Sequence, residues 1–236
     1  MRIAAFTDIH AMSSTLDSAL SAARREGFDM LLILGDLLTY GVTPRETLDI
    51  VQDAITRHHA VLLTGNHDAM YLDQADGYAA SLPEWLRETV AWTAGQIPAK
   101  AMTLFDWHEN WSIGPLFAAH ANPYGSHDWR SIHDVETAEA AATTLAARGY
   151  RYGLFGHTHR ARRFNCDAAS IFTLGSLGQP RDNCDRRLQW AMVEVHDDRV
   201  TVSSRALPFD RAGHVAAIRS TALSQATQDR LCGFFA

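Results

Sequence analysis

Short apolar runs alternate with helical segments along the first part of the chain. "RIAAFT" (2–7) is followed by "SSTLDSALSAARREGF", "MLLILGD", "TPRETLDIVQDAITRH" and "AVLLTGNHD". The apolar runs are short and lack polar alternation, so they read as buried strands. The first helical segment places Leu16, Ala19, Leu20 and Ala23 at helical spacing, with Ser13 or Ser14 as N-cap and Gly27 as stop. The second offers Thr43 as N-cap, Pro44 at the first helical position and Glu46 to complete a capping box. This β-α-β-α-β order predicts parallel strands joined by helical crossovers.

Further on, residues 78–107 read as helical, with Trp85 and Trp92 as packing residues. "NWSIGPLFAAHA" predicts two short strands around Gly114-Pro115, and 134–147 a helix ended by Gly149. "YGLFGHTH", "SIFTLGS", "LQWAMVEV" and "VTVSSRA" read as strands, with "HDDR" (196–199) as a hairpin turn. A helical tail is expected from about Asp210. We expect one domain over residues 1–236, since no repeat, low-complexity tract or linker interrupts the chain.

Composition narrows the partners. The net charge of -6 argues against a general nucleic-acid binder, which needs basic patches for phosphates. "HRARR" (159–163) is a local exception: a solvated face, or a contact from Arg160, Arg162 or Arg163 to an anionic substrate. No apolar run approaches the ~20 residues of a membrane span. The three cysteines, Cys166, Cys184 and Cys232, show no CxxC spacing and suit reduced thiols in a cytoplasmic protein.

The polar residues recur at one kind of place. Apolar strands end in "TDIH", "LGDLL", "TGNHD", "AAHAN" and "FGHTH". In α/β sheets, ligands sit beyond the carboxyl ends of strands, where loops combine distant residues. The collected set is Asp8, His10, Asp36, Asn66, His67, His120, His157 and His159. One such motif means little, but five strand ends with metal-type ligands are poorly explained by turns. No thiolate is in the set, and mixed carboxylate and imidazole donors suit manganese, iron, zinc, cobalt or nickel. The set exceeds what one tetrahedral ion needs. Whether His157 and His159 share one ion or serve two is left open by their spacing.

These ordered motifs (D-x-H, G-D, G-N-H-D, H and G-H-x-H) resemble those of calcineurin-like metallophosphoesterases. "GDLLTYGVTPRETLDIV" (35–51) and "GSLGQPRD" (175–182) are similar to a small bacterial and archaeal phosphodiesterase-like branch. The resemblance implies a four-layer αββα sandwich of two mixed sheets flanked by helices. It implies two transition-metal ions, manganese or iron first, with zinc, nickel or cobalt as alternatives. Asp8, His10 and His159 would hold one ion, Asn66, His120 and His157 the other, and Asp36 would bridge. A metal-bridging hydroxide would attack the phosphorus of a small phosphorylated substrate, while His67 would serve the phosphate and leaving oxygen.

The resemblance favours phosphodiesters, cyclic nucleotides among them. Phosphomonoesters, dinucleoside polyphosphates and a non-catalytic scaffold are the alternatives. The protein-phosphatase pattern GDxxDRG is absent, since Thr39 and Tyr40 stand where its acid and arginine would be. Ala121 replaces the usual glycine after His120. The loops 70–85 and 122–133 are expected over the site, with His127 and His133 as possible lining. Arg181 offers either a phosphate contact or an ion pair with Asp182.

Overall fold

The computed structural model describes residues 1–72, 82–182 and 184–236. Part of the expected 78–107 helix and of the expected 70–85 loop therefore lies outside the described residues.

The first sheet has six strands. β1 (Arg2–Phe6), β2 (Met30–Ile33), β3 (Val61–Leu63) and β4 (Trp107–His108) run parallel in that order. The hairpin of β10 (Leu188–His196) and β11 (Arg199–Leu207) joins antiparallel on the far side of β1, opposite β2, pairing Ala4 with Met192. The second sheet contains β5 (Asn110–Ile113), β6 (Leu116–Ala119), β7 (Tyr152–Phe155), β8 (Arg162–Asn165) and β9 (Ser170–Thr173) in the order β5-β6-β7-β9-β8. Its central pairs, β6 with β7 and β7 with β9, are parallel, and its outer pairs are antiparallel.

Successive side chains of a strand point to opposite faces. Ile3 and Ala5 of β1 therefore meet Leu116, Ala118 and Leu154 between the sheets. Ala4 and Phe6 point the other way, against the first two helices. These are α1 (Ser13–Glu26), through Leu16, Ala19, Leu20 and Ala23, and α2 (Pro44–His58), through Leu48, Val51 and Ala54. On the outer face of the second sheet, Phe117, Phe155 and Ile171 pack on Ala138, Ala141, Ala142 and Leu145 of a helix over Val135–Ala147. Four layers result, and both faces of the central strands are buried, which is why they lack polar alternation.

Several local expectations are corrected. Helix α1 begins at Ser13 with Met12 as its cap, and neither serine caps it. Thr43 forms no capping box. Its hydroxyl donates to Ala11 O at 2.8 Å and accepts from Ser13 N at 3.0 Å, tying the starts of α1 and α2 together. A short helix, α3 (Asn66–Tyr71), follows β3 directly, and the 78–107 region holds α4 (Glu84–Gln96) and a 3-10 turn (Ala101–Leu104). The Val135–Ala147 helix is α5. Strands β4 and β8 are additions: β8 carries Arg162 and Arg163 of the basic run on an exposed edge. The tail forms two helices, α6 (Arg211–Arg219) and α7 (Gln225–Gly233). They pack through Ile218, Leu223, Leu231 and Phe235 on Tyr40, Leu82 and Leu86. No helix among the described residues is long and apolar enough to cross a membrane.

Candidate metal centre

The carboxyl ends of β1, β2, β3, β6 and β7 converge at one place. The backbone there is unusual: Asp8, His10, Asp36, His157 and His159 all have φ between 50° and 65°. Such left-handed conformations cost non-glycine residues on the order of 1 kcal/mol each and persist where surroundings enforce them. Here the loops after β1 and β2 are zipped together, with Asp8 N, His10 N and Ala11 N donating to the carbonyls of Gly35, Asp36 and Leu37. The chain also passes close beside these loops. A Cβ on Gly65 would lie 2.2 Å from Asp36 Oδ1, and one on Gly156 would lie 2.0 Å from Thr7 Oγ1. The close approach of Thr7 and Asp8 excludes a side chain at Gly156, and the left-handed backbone falls on His157 and His159.

Two groups of donor atoms result. In one, His159 Nε2 lies 3.2 Å from both Asp8 Oδ1 and His10 Nε2. In the other, Asn66 Oδ1 lies 2.9 Å from His157 Nδ1 and 3.2 Å from His120 Nε2. Asp36 Oδ2 stands between them, 3.9 Å from His10 Nε2 and 3.4 Å from His120 Nε2. Ligand atoms of Asp8, His10, Asp36 and His159 all lie within 4.8 Å of one another, and all four residues are buried. His157 and His159 thus face different groups.

Hydrogen bonds fix the chemistry of these atoms. Backbone carbonyls of Leu38, Leu34 and Gln179 face the Nδ1 atoms of His10, His120 and His159 at 3.1, 2.6 and 2.6 Å. A carbonyl only accepts, so each Nδ1 carries the proton and each Nε2 turns a lone pair into the site. Asp8 Oδ2 accepts from Thr7 Oγ1 at 2.8 Å and from His157 N at 3.0 Å, while its buried Oδ1 has no hydrogen-bond partner. A buried orphan carboxylate oxygen beside converging imidazole lone pairs is a place for positive charge. The aspartates draw positive charge to the same atoms: burial opposes charge on His120, yet Asp36 and Asp8 push it up to about 9, so its Nε2 is a place for a cation or a proton. Burial likewise opposes ionisation of Asp8, but His159 and His120 hold it well below the usual carboxylate range. The donor set of carboxylates, imidazoles and one amide fits a transition-metal cation.

His67 lies beside this cluster. Its backbone N–H donates to Asp36 Oδ1 at 2.9 Å, and its ring packs 4.7 Å from Tyr40 and 5.1 Å from His10. Burial lowers its pKa to about 4 against the pull of Asp36, with Arg181, His159 and His120 adding to the lowering. Asp68 does not orient that ring. Its carboxylate accepts from Asp36 N, Leu37 N and Gly65 N at 2.6, 2.9 and 2.9 Å, pinning the two acid-bearing loops together. That role rests on two contacts more than 30 residues apart, and only the final Asp of "TGNHD" hinted at it.

Other expectations divide. His127 lines a cavity of about 190 Å³ with His120, Asn122 and Trp129, whereas His133 is exposed and faces Asp134. Asp182 pairs with Arg162, not with Arg181. Thr7, Gln179 and Tyr40 adjoin the site without having been singled out for it.

The sequence of the chain matches the calcineurin-like phosphoesterase family over residues 1–161. It is 23% identical over 212 residues to an uncharacterized protein of Methanocaldococcus jannaschii, covering 78% of this chain and 79% of the relative. Its fold is similar to a hypothetical protein of Pyrococcus horikoshii, with a TM-score of 0.83 and 16% identity over 98% and 97% of the two chains. It is also similar to a metallophosphoesterase of Sphaerobacter thermophilus, with a TM-score of 0.73 and 24% identity over 99% and 100%. The two mixed sheets flanked by helices are those of the calcineurin-like fold. With the family match spanning well over half of its length and a buried cluster fit for metal at its strand ends, the chain belongs to the calcineurin-like phosphoesterases.

Proposed function

We propose that the protein is a two-metal phosphoesterase acting on phosphodiesters, with cyclic nucleotides and aryl diesters as the class to test. The observation that carries this is the pair of donor groups sharing Asp36 Oδ2. Asp8, His10 and His159 would hold one cation; Asn66, His120 and His157 the other; Asp36 would serve both. When bound, two such cations acidify a shared water and neutralise charge on the phosphoryl oxygens. Manganese and iron suit the donors best, with zinc, nickel and cobalt next.

The protein's own groups supply the rest. Leu34, Leu38 and Gln179 carbonyls hold three imidazoles in one tautomer, so no reorientation is needed during reaction. His67 is kept neutral by burial, with Arg181 adding to the effect, so it acts as a hydrogen-bond donor to the leaving oxygen. The cavity beside His120, bordered by Asn122 and Trp129, gives room for the ester substituent that is not leaving. That space favours a diester over a monoester.

The test uses manganese-loaded protein with bis(p-nitrophenyl) phosphate and p-nitrophenyl phosphate. Faster turnover of the diester is expected, and His67→Ala should lower kcat by about 10²-fold or more with metal content retained. Undiminished turnover in that variant removes His67 from the mechanism; no turnover of either ester by wild type defeats the reading.

A further inference from the structure

Arg181 stands at the edge of the site, and among the described residues no carboxylate compensates its charge. The adjacent carboxylate of Asp182 is engaged by Arg162 and by Cys184 N. Among the described residues no carboxylate forms an ion pair with Arg181. Its partners are neutral: Nε donates to Gln179 Oε1 at 2.8 Å, and an Nη2 hydrogen reaches Tyr40 Oη at 3.5 Å. The guanidinium carbon lies 5.7 Å from the ring centroids of both Tyr40 and Phe234. A guanidinium stays charged at any pH of interest, and stacking on aromatic rings orients it without neutralising it.

The same partners reach into the candidate metal centre. The Tyr40 ring lies 4.6 Å from His10 and 4.7 Å from His67. Gln179 accepts from His159 Nδ1 through its backbone carbonyl. Because its Oε1 must face the guanidinium, its Nε2 is the amide donor, and that atom is buried without an acceptor. A partly buried cation and an orphan donor therefore lie side by side, next to the residue assigned to the leaving oxygen.

We propose that Arg181 binds the substrate, its guanidinium donating to a non-bridging oxygen of the phosphoryl group, and that Phe234 of the C-terminal tail holds it in position. Its Nε and one Nη2 hydrogen are taken by Gln179 and Tyr40, and the remaining Nη1 and Nη2 hydrogens form one planar edge that suits phosphate oxygens. The tail is then part of the site: Phe234 follows α7 directly, and its ring also carries Arg230 at 5.3 Å. This inference rests on the phosphoesterase reading above.

The experiment titrates inorganic phosphate into manganese-loaded full-length protein by calorimetry, with manganese content and circular dichroism measured for each variant. Arg181→Met should bind phosphate at least about tenfold more weakly with manganese content unchanged. Arg181→Lys should recover part of the loss, because it keeps the charge but not the fork or the stacking. Phe234→Ala should fall between wild type and Arg181→Met. Equal phosphate binding by wild type and Arg181→Met, or no binding by wild type, overturns the proposal. If Arg181→Met fails to fold, Arg181→Lys decides: binding within twofold of wild type overturns it. The titration needs no turnover, so a catalytically silent protein still gives an answer. Diester turnover with KM unchanged in Arg181→Met would defeat the role of the arginine and leave the phosphoesterase reading intact.

Discussion

The packing behind Asp8 gives a prediction whose size can be worked from distances. A Cβ at position 156 would lie 2.0 Å from Thr7 Oγ1, 2.9 Å from Asp8 Oδ2 and 3.0 Å from Thr7 Cβ. Comfortable contacts need about 3.5 Å, so the Thr7 hydroxyl must retreat by more than about 1 Å in Gly156→Ala. That hydroxyl donates to Asp8 Oδ2 at 2.8 Å, and the retreat breaks the bond. A hydrogen bond to a charged group is worth about 1.5–3 kcal/mol, and overpacking adds about 1–3 kcal/mol. The sum corresponds to a Tm lower by about 5–20 °C for a chain of this size. Thr7→Ala alone loses the hydrogen bond but meets no clash. In the double variant the offending oxygen is gone, so Gly156→Ala should add much less there than in wild type. The assay is thermal unfolding of the four metal-free proteins as a double-mutant cycle. Losses that simply add, or a Gly156→Ala cost below about 1 kcal/mol, would refute the argument. Manganese titration of the same set should show affinity about 10–100-fold weaker for Gly156→Ala, since Asp8 loses its support.

His214 on α6 packs 4.7 Å from Phe235 and 5.6 Å from Phe209, its Nε2 is buried without a partner, and burial lowers its pKa to about 4. The unfolded chain then takes up the proton first as pH falls, so stability is intact above about 6.5 and lost between there and about 4. His214→Phe should gain on wild type by about 2 kcal/mol between pH 7 and pH 5 in thermal unfolding, and a constant gap would count against this. Removing metal by chelation should lower Tm, because the buried orphan oxygen of Asp8 and the facing lone pairs of His10 and His159 are then left unbalanced. Manganese at 100 times its dissociation constant should restore about 2.7 kcal/mol, and an identical Tm with and without metal would show that the cluster binds none.

The strands that were legible share a physical property. β1, β2, β3, β5, β6, β7 and β9 to β11 carry apolar runs or alternation because at least one face is buried against a neighbouring layer. β8, "RRFN", is an exposed edge held by β9, and β4 is two residues long, so neither leaves a hydrophobic period. Thr43 and Pro44 stand at the N-cap and first helical positions as expected, but the capping bonds were misjudged for a related reason. A threonine before a proline-initiated helix is a sound local signal, but the Ala11 carbonyl 32 residues away captures the hydroxyl.

The chain alone determined which side chains gather. A ligand placed just after a buried strand is carried to the carboxyl edge of its sheet, and that is a local property of each motif. The pairing of those side chains was decided by tertiary structure. His157 meets Asn66 across 91 residues and His159 meets Asp8 across 151, although the two histidines are nearly adjacent. Their divergence comes from left-handed backbone at both residues, imposed where the loops of the two sheets press together. The same packing gives Asp182 to Arg162, leaving Arg181 to the aromatic wall of the tail. Distances of this kind are set by how two sheets stack and which loops touch, and no local periodicity encodes them.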